Sequence, residues 1–197
     1  QREAGEYLVC GAGQLNNEIW MPDLLHQIHQ QFPEWAIKAE VLTSEQISRQ
    51  LHERSIDIAF SSEPLKSEEL SGQLLKALPL GLFSINQTEV DTSADQYVAI
   101  DWGSKARDEL LTRFPDFRDA KFTTNSLRLA LATLKSEGGV AVLPVGPDWS
   151  QWGLNQVECI EQFQNSQCKL YMYHMKSIRR SMVPDVVKVV ASNFSAV

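Results

Sequence analysis

The chain alternates short apolar runs with apolar stripes at helical spacing. "YLVC" (7–10) is a strand-length run that stops at Gly11-Ala12-Gly13. Met21, Leu24, Leu25, Ile28 and Phe32 then recur three and four residues apart, which predicts an amphipathic helix. Pro22 suits its first turn and Pro33 ends it. "WAIKAEVL" (35–42) alternates as a strand does. Thr43-Ser44-Glu45-Gln46 reads as a capping box opening a helix that carries Ile47 and Leu51 inward and ends near Arg54. "IDIAF" (56–60) predicts the next strand. Residues 7–60 thus read β-α-β-α-β, the signature of a parallel sheet covered by helices.

The pattern then restarts. "ALPLGLFSI" (77–85) and "QYVAID" (96–101) are strand candidates, and Ser104 caps a helix with Ala106, Leu110, Leu111 and Phe114 on one face, closed by Pro115. "AKFTT" (120–124) is a strand. Asn125 or Ser126 caps a helix burying Leu127, Ala130, Leu131 and Leu134, which Gly138-Gly139 stops in a left-handed turn. "VAVLP" (140–144) and "QVECI" (156–160) read as strands, with a helical turn at "PDWSQW" (147–152). "KLYMYHM" (169–175) is a strand, and a last helix from about Pro184 buries Val183, Val187, Val190 and Phe194. The polar stretches 61–76 and 161–168 read as paired crossings between units. The expected organisation is α/β, with residues 1–75 and 168–197 forming one subdomain and 76–167 a second inserted in it. Two crossover strands join them, with a cleft between.

Charge narrows the function. The net charge is −7, whereas a nucleic-acid binder usually presents a basic face. The one compact basic cluster, Lys176, Arg179 and Arg180, reads as a solvated loop. No apolar run approaches the roughly 20 residues of a membrane span, so no membrane role is expected. The chain begins at Gln1 rather than Met, as a fragment would. Three cysteines, Cys10, Cys159 and Cys168, without Cys-x-x-Cys spacing argue against a disulfide framework or a zinc site. A reducing, cytoplasmic setting follows.

Most motifs have plain explanations. His26 and His29 lie three apart on one helix without a third ligand, so they read as solvated or interfacial rather than metal-binding. Gly11-Ala12-Gly13 lacks the third glycine of a dinucleotide site, since position 16 is Asn. Glu63, Glu68 and Glu69 read as a solvated linker face, and Asp57 as an edge or subunit-facing position. No nucleophile elbow or zincin motif is present, so no catalytic residue, metal or cofactor is expected.

Polar residues instead concentrate where strands end. They are Gly13 and Gln14, Thr43 and Ser44, then Ser61 and Ser62 in the first unit. In the second the matching places hold Trp102 and Gly103, Thr124, Asn125 and Ser126, then Leu143 and Pro144. Open α/β sheets bind ligands beyond the carboxyl ends of their strands. Capping alone accounts for Thr43, Asn125 and Ser126. Ser61 and Ser62 are different, because no clear helix starts directly after them.

Three stretches carry a family resemblance: "MPDLLHQIHQQFPE" (21–34), "QLHERSIDIAFSSEP" (50–64) and "TTNSLRLALATLKSEGGVAVLP" (123–144). With the returning strand and last helix, they resemble in order and spacing the effector-binding domain of LysR-type transcriptional regulators, over nearly the whole chain. "QLHERSIDIAFSSEP" and "AIDWG" (99–103) look closest to the regulators that repress the flagellar master operon. The resemblance implies two Rossmann-like subdomains in a periplasmic-binding-protein-like fold (type 2), with a small-molecule effector in the cleft. It implies a homodimer, or a tetramer at full length, formed through the helix at 21–32 and the strand and helix of the second unit. DNA would be gripped only by an N-terminal winged helix-turn-helix absent from this chain. Carried over by position, the effector contacts are Gly13, Gln14, Leu15, Thr43, Ser44, Ser61, Ser62, Trp102, Thr124, Asn125, Ser126, Leu143 and Pro144. Many members open the first helix with Ser or Thr, where this chain has Gly13-Gln14-Leu15-Asn16.

No Arg or Lys falls at these positions, which favours a polar or aromatic effector over a strongly charged anion. The competing readings are a stand-alone solute-binding protein of the same fold and an enzyme such as a prephenate dehydratase or deaminase relative. The unpaired cysteines count against the first, and the missing base or nucleophile against the second.

Overall fold

A computed structural model describes residues 6–194. In chain order its elements are β1 (Tyr7–Ala12), α1 (Gln14–Ile19), α2 (Met21–Gln31), β2 (Ala36–Val41), α3 (Ser44–His52), β3 (Ile58–Ser61) and β4 (Leu70–Ile85). Then follow β5 (Val98–Ile100), α4 (Ser104–Arg113), β6 (Phe122–Thr124), α5 (Leu127–Glu137), β7 (Gly139–Pro144), β8 (Val157–Met175) and α6 (Met182–Phe194). Short 3-10 turns occupy Ala94–Gln96, Pro115–Asp119 and Trp149–Trp152. The chain divides into two compact units: residues to Lys76 with those from Lys169 onward, and Ala77–Cys168. β4 and β8 each run through a unit boundary.

In the first unit β1 is the centre. It runs parallel to β2, pairing Tyr7 with Ala36 and Ala12 with Val41, and parallel to β3, pairing Cys10 with Ile58 and Ala12 with Phe60. β3 is antiparallel to the end of β8, with Ala59 opposite Tyr173 and Ser61 opposite Tyr171. Side chains alternate across these strands, so both faces can be buried. Leu8, Cys10, Ala12, Ile58 and Phe60 face Met21, Leu24 and Ile28 of α2 and Met182, Val186 and Val190 of α6. On the other face Val9, Ala59 and Tyr173 pack with Ile47 and Leu51 of α3. Truncating one such fully buried side chain to alanine costs about 2–5 kcal/mol.

In the second unit the end of β4 is antiparallel to β7, from Leu80 opposite Pro144 to Ile85 opposite Gly139. β5 and β6 are parallel, and Tyr97 bridges to Val140. The stripe Leu127, Ala130, Leu131 and Leu134 is buried as its spacing predicts. Ser126 is the cap of α5, its hydroxyl accepting from the Leu129 N–H.

Several expectations are corrected. The stretch 161–168 is no loop crossing; it joins "QVECI" and "KLYMYHM" into the single strand β8. Its buried residues Ser166, Cys168, Leu170 and Met172 keep strand alternation, but the polar Ser166 hid the pattern. β4 likewise begins at Leu70, inside the stretch read as linker. β3 starts only at Ile58. The helix predicted from Met21 is α2, and a short helix not expected from the pattern, α1, precedes it, with Trp20 between them. Gly103, at φ 102°, occupies the N-cap of α4, which Ser104 then begins. Gly138 has φ 67° and ψ 170°, a positive-φ break but not a left-handed helical one.

Candidate functional site

The strand-end residues of the first unit gather around the exits of β1 and β3. Gly13 is the N-cap of α1, in extended conformation and with no side chain to offer. Gln14 and Leu15 open the helix, half-buried. Asn16 follows, 1% exposed, and its Nδ2 donates to the Ser62 Oγ across 3.0 Å. Its Oδ1 is buried without a hydrogen-bond partner. A buried amide oxygen left unpaired costs about 1–3 kcal/mol, so this acceptor is the least satisfied group of the set. The Ser62 hydroxyl accepts from Asn16 and keeps its own proton to donate. Asn16 was not among the assigned contacts; its only signal in the sequence was the departure from Ser or Thr at the opening of the first helix.

Ser61 and Ser62 have different surroundings. Ser61 is 2% exposed, and its Oγ donates to the Glu63 carbonyl at 2.8 Å and accepts from the Glu63 N–H at 3.2 Å. That hydroxyl closes the turn after β3. Ser62 is exposed. Thr43 caps α3 in a complete capping box, its Oγ1 accepting from Gln46 N–H and its own N–H donating to Gln46 Oε1. Ser44 is exposed at the first turn of α3.

In the second unit the assigned residues are tied to one another. The Trp102 Nε1 donates to the Val142 carbonyl at 2.6 Å, beside Leu143. The Asp101 N–H donates to the Thr124 carbonyl at 3.2 Å, and the Thr124 Oγ1 accepts from the Ser126 N–H at 3.0 Å. Asn125 stands exposed between them. Leu143 and Pro144 are buried, and the Pro144 carbonyl accepts from the Trp149 Nε1. The set therefore offers one indole, one exposed carboxamide and the start of α5, with most hydroxyls already engaged.

Two groups prove structural. Asp57 is tied within its own chain: its carboxylate accepts from the Val9 N–H at 2.9 Å and from Arg180 Nη1 at 3.1 and 2.9 Å. Arg180 is therefore not part of a loosely solvated basic loop; its Nη2 also reaches the Tyr7 carbonyl. His26 and His29 are exposed on α2. Burial pushes the thiols of Cys10 and Cys168 up to about 12, with Asp57 adding to the rise at Cys10. Among the described residues no three of His, Cys, Asp and Glu gather to hold a metal ion, and no helix is long and apolar enough to cross a membrane.

Comparison with known proteins places these features. Residues 11–182 match the LysR substrate binding domain family. No curated protein sequence matches the chain. Among solved structures, the reduced regulatory domain of OxyR2 from Vibrio vulnificus aligns with TM-score 0.70 at 14% identity, covering 95% of each chain. HinK, a LysR family transcriptional regulator from Pseudomonas aeruginosa, aligns with TM-score 0.72 at 12% identity, over 96% of this chain and 71% of that one. The BenM effector binding domain with its effector benzoate aligns with TM-score 0.68 at 12% identity, over 97% and 93%. At these identities the likeness is one of fold, the periplasmic-binding-protein-like α/β architecture expected from the sequence.

Proposed function

The chain belongs to the LysR substrate binding domain family, and from that premise we propose that it is the effector-sensing part of a cytoplasmic DNA-binding transcriptional regulator. A small molecule is held by the strand-end residues Gly13, Gln14, Leu15, Thr43, Ser44, Ser61, Ser62, Trp102, Thr124, Asn125, Ser126, Leu143 and Pro144. The observation that carries this reading is Ser62, exposed after β3, whose hydroxyl accepts from the buried Asn16 amide and keeps a proton to donate. Ser62, Asn125 and Trp102 are the side chains with most to offer a polar or aromatic effector. Ser61 and Thr43 contribute through the turn and cap they hold. Binding alters regulation to the extent that the effector binds two arrangements of the protein unequally.

The regulator acts as a homodimer or tetramer and reaches DNA through an N-terminal winged helix-turn-helix outside this chain. The family is one of transcriptional regulators, and catalysis is no part of this reading. A stand-alone solute-binding role is the less supported alternative. Within the family, "QLHERSIDIAFSSEP" and "AIDWG" favour the flagellar-master-operon repressors. Retardation of that operon's promoter by the full-length protein supports the subgroup, and no retardation beyond that of unrelated DNA removes it.

The test of effector sensing is a thermal-shift screen of the chain against small metabolites. A ligand that binds only the native state raises the melting temperature. At least one polar or aromatic metabolite is expected to do so, and a hydrolytic or other turnover of that metabolite would overturn the regulatory reading.

A further inference from the structure

The second unit contains a cavity of about 310 Å³ walled by β5, α4 and the turn Pro115–Asp119. Of the strand-end residues it shares Trp102 and Gly103. Its apolar wall is aromatic. Tyr97 stacks on Phe117 with ring centres 4.3 Å apart and planes 9° from parallel, and Phe114 stacks behind Phe117 at 5.1 Å. Tyr97 and Phe117 are both buried. Leu110 and Leu111 of α4 continue the wall.

The space exists because the facing residues are short. Ala99 on β5, Ala106 on α4 and Ala120 after the turn all line it. Protein interiors rarely leave voids much larger than a water molecule, and 310 Å³ falls at the lower end of small-ligand sites.

The polar part of the lining carries two cations, one acid and Thr123. Arg107 and Arg118 both border the cavity, and among the described residues neither guanidinium has an ion-pair partner. The acid bordering it, Asp101, already accepts from the Gly103 N–H. Two unpaired guanidinia at one cavity stand out in a chain of net charge −7. Burial pushes the Tyr97 hydroxyl up to about 12, against the pull of Arg107, so it stays a neutral donor beside the cavity. A stacked aromatic wall and a pair of guanidinia match a planar ring bearing a carboxylate, since guanidinium and carboxylate form the strongest paired hydrogen bonds.

We propose that this cavity is a second small-molecule site, distinct from the strand-end set, that takes an aromatic monocarboxylate with its ring against Tyr97 and Phe117 and its carboxylate on Arg107 and Arg118. The site stands on its own lining and does not depend on the effector reading.

Calorimetric titration of the whole chain tests it, with 1-naphthoate as the probe and uncharged 1-naphthalenemethanol as the control. Saturable binding of 1-naphthoate is expected, with the alcohol at least tenfold weaker. Arg107→Gln with Arg118→Gln, at exposed positions, should weaken 1-naphthoate at least tenfold, and Ala99→Leu should weaken it by filling the space. Ser62→Ala with Asn125→Ala should leave it unchanged. The proposal is overturned by no saturable binding at millimolar probe, by unchanged affinity in the double Gln variant, or by loss of binding in the Ser62/Asn125 variant. That last result would put the probe at the strand-end set instead.

Discussion

The Arg180 guanidinium meets the Asp57 carboxylate at 2.9 Å across 123 residues of sequence. The same carboxylate, just before β3 begins, accepts from the Val9 N–H, so one side chain satisfies both a backbone donor of β1 and a cation. The pair fixes the loop before α6 to the start of β1 and the approach to β3. Arg180→Ala is expected to cost about 2 kcal/mol, the scale of a hydrogen bond to a charged group. The neighbouring, exposed Arg179→Ala should fall within about 0.5 kcal/mol of wild type. Urea unfolding of the two variants makes the comparison, and equal midpoints would remove the pair from the stabilising contacts.

Thr43 serves α3 before it serves any ligand. Its capping box is complete in both directions. Thr43→Ala should therefore cost about 1 kcal/mol, while Thr43→Ser, which keeps the oxygen, should cost far less. Thermal denaturation distinguishes them. Equal losses would show that the methyl group, not the cap, is what matters.

The three thiols should differ in reactivity. Cys159 is exposed, whereas Cys10 and Cys168 are buried with ionisation pushed up to about 12. Only the thiolate attacks alkylating reagents, so iodoacetamide at pH 8 should label Cys159 alone in the native protein and all three in urea. Linkage gives a second consequence. A thiol raised from 9.0 to about 12 on folding contributes stability that is full below pH 9 and is lost as pH rises toward about 12. The unfolded chain binds fewer protons in that window, so the urea midpoint should fall between pH 9 and 10.5, and less steeply in Cys10→Ala.

Gly138 sits where α5 turns into β7, at φ 67°, and a Cβ there would stand 2.8 Å from the Asn86 carbonyl oxygen. Gly138→Ala should cost about 1–3 kcal/mol, combining positive-φ strain with that backbone clash. A melting temperature equal to wild type would contradict this.

Much of the fold was legible because local signals agreed with tertiary demands. The Leu127–Leu134 stripe, the Thr43 box and the Pro33 stop each carry their reason within a few residues. What was not legible depended on distant partners. β8 continues through Gln164 and Asn165, beside which Glu109, 56 and 57 residues away in the chain, accepts from Asn165 and Ser166. Asp57 read as an edge or subunit-facing position because its partner, Arg180, lies far along the sequence. At the site, strand ends and caps could be named from spacing. The division between Ser61 and Ser62 could not, because it turns on which hydroxyl the Glu63 backbone takes up. The cavity beside Tyr97 and Phe117 was hidden as well, since alanines leave no mark in a hydrophobic pattern.

The most direct test of effector binding by the strand-end residues compares wild type with Ser62→Ala plus Asn125→Ala, by calorimetric titration with a metabolite that raises the melting temperature. Loss of two ligand hydrogen bonds at about 1 kcal/mol or more each predicts at least tenfold weaker binding. Both residues are exposed, but Ser62→Ala leaves the buried Asn16 amide without its acceptor, so the unliganded variant should melt several degrees lower while still unfolding cooperatively. Affinity unchanged in a folded double variant would contradict the assignment.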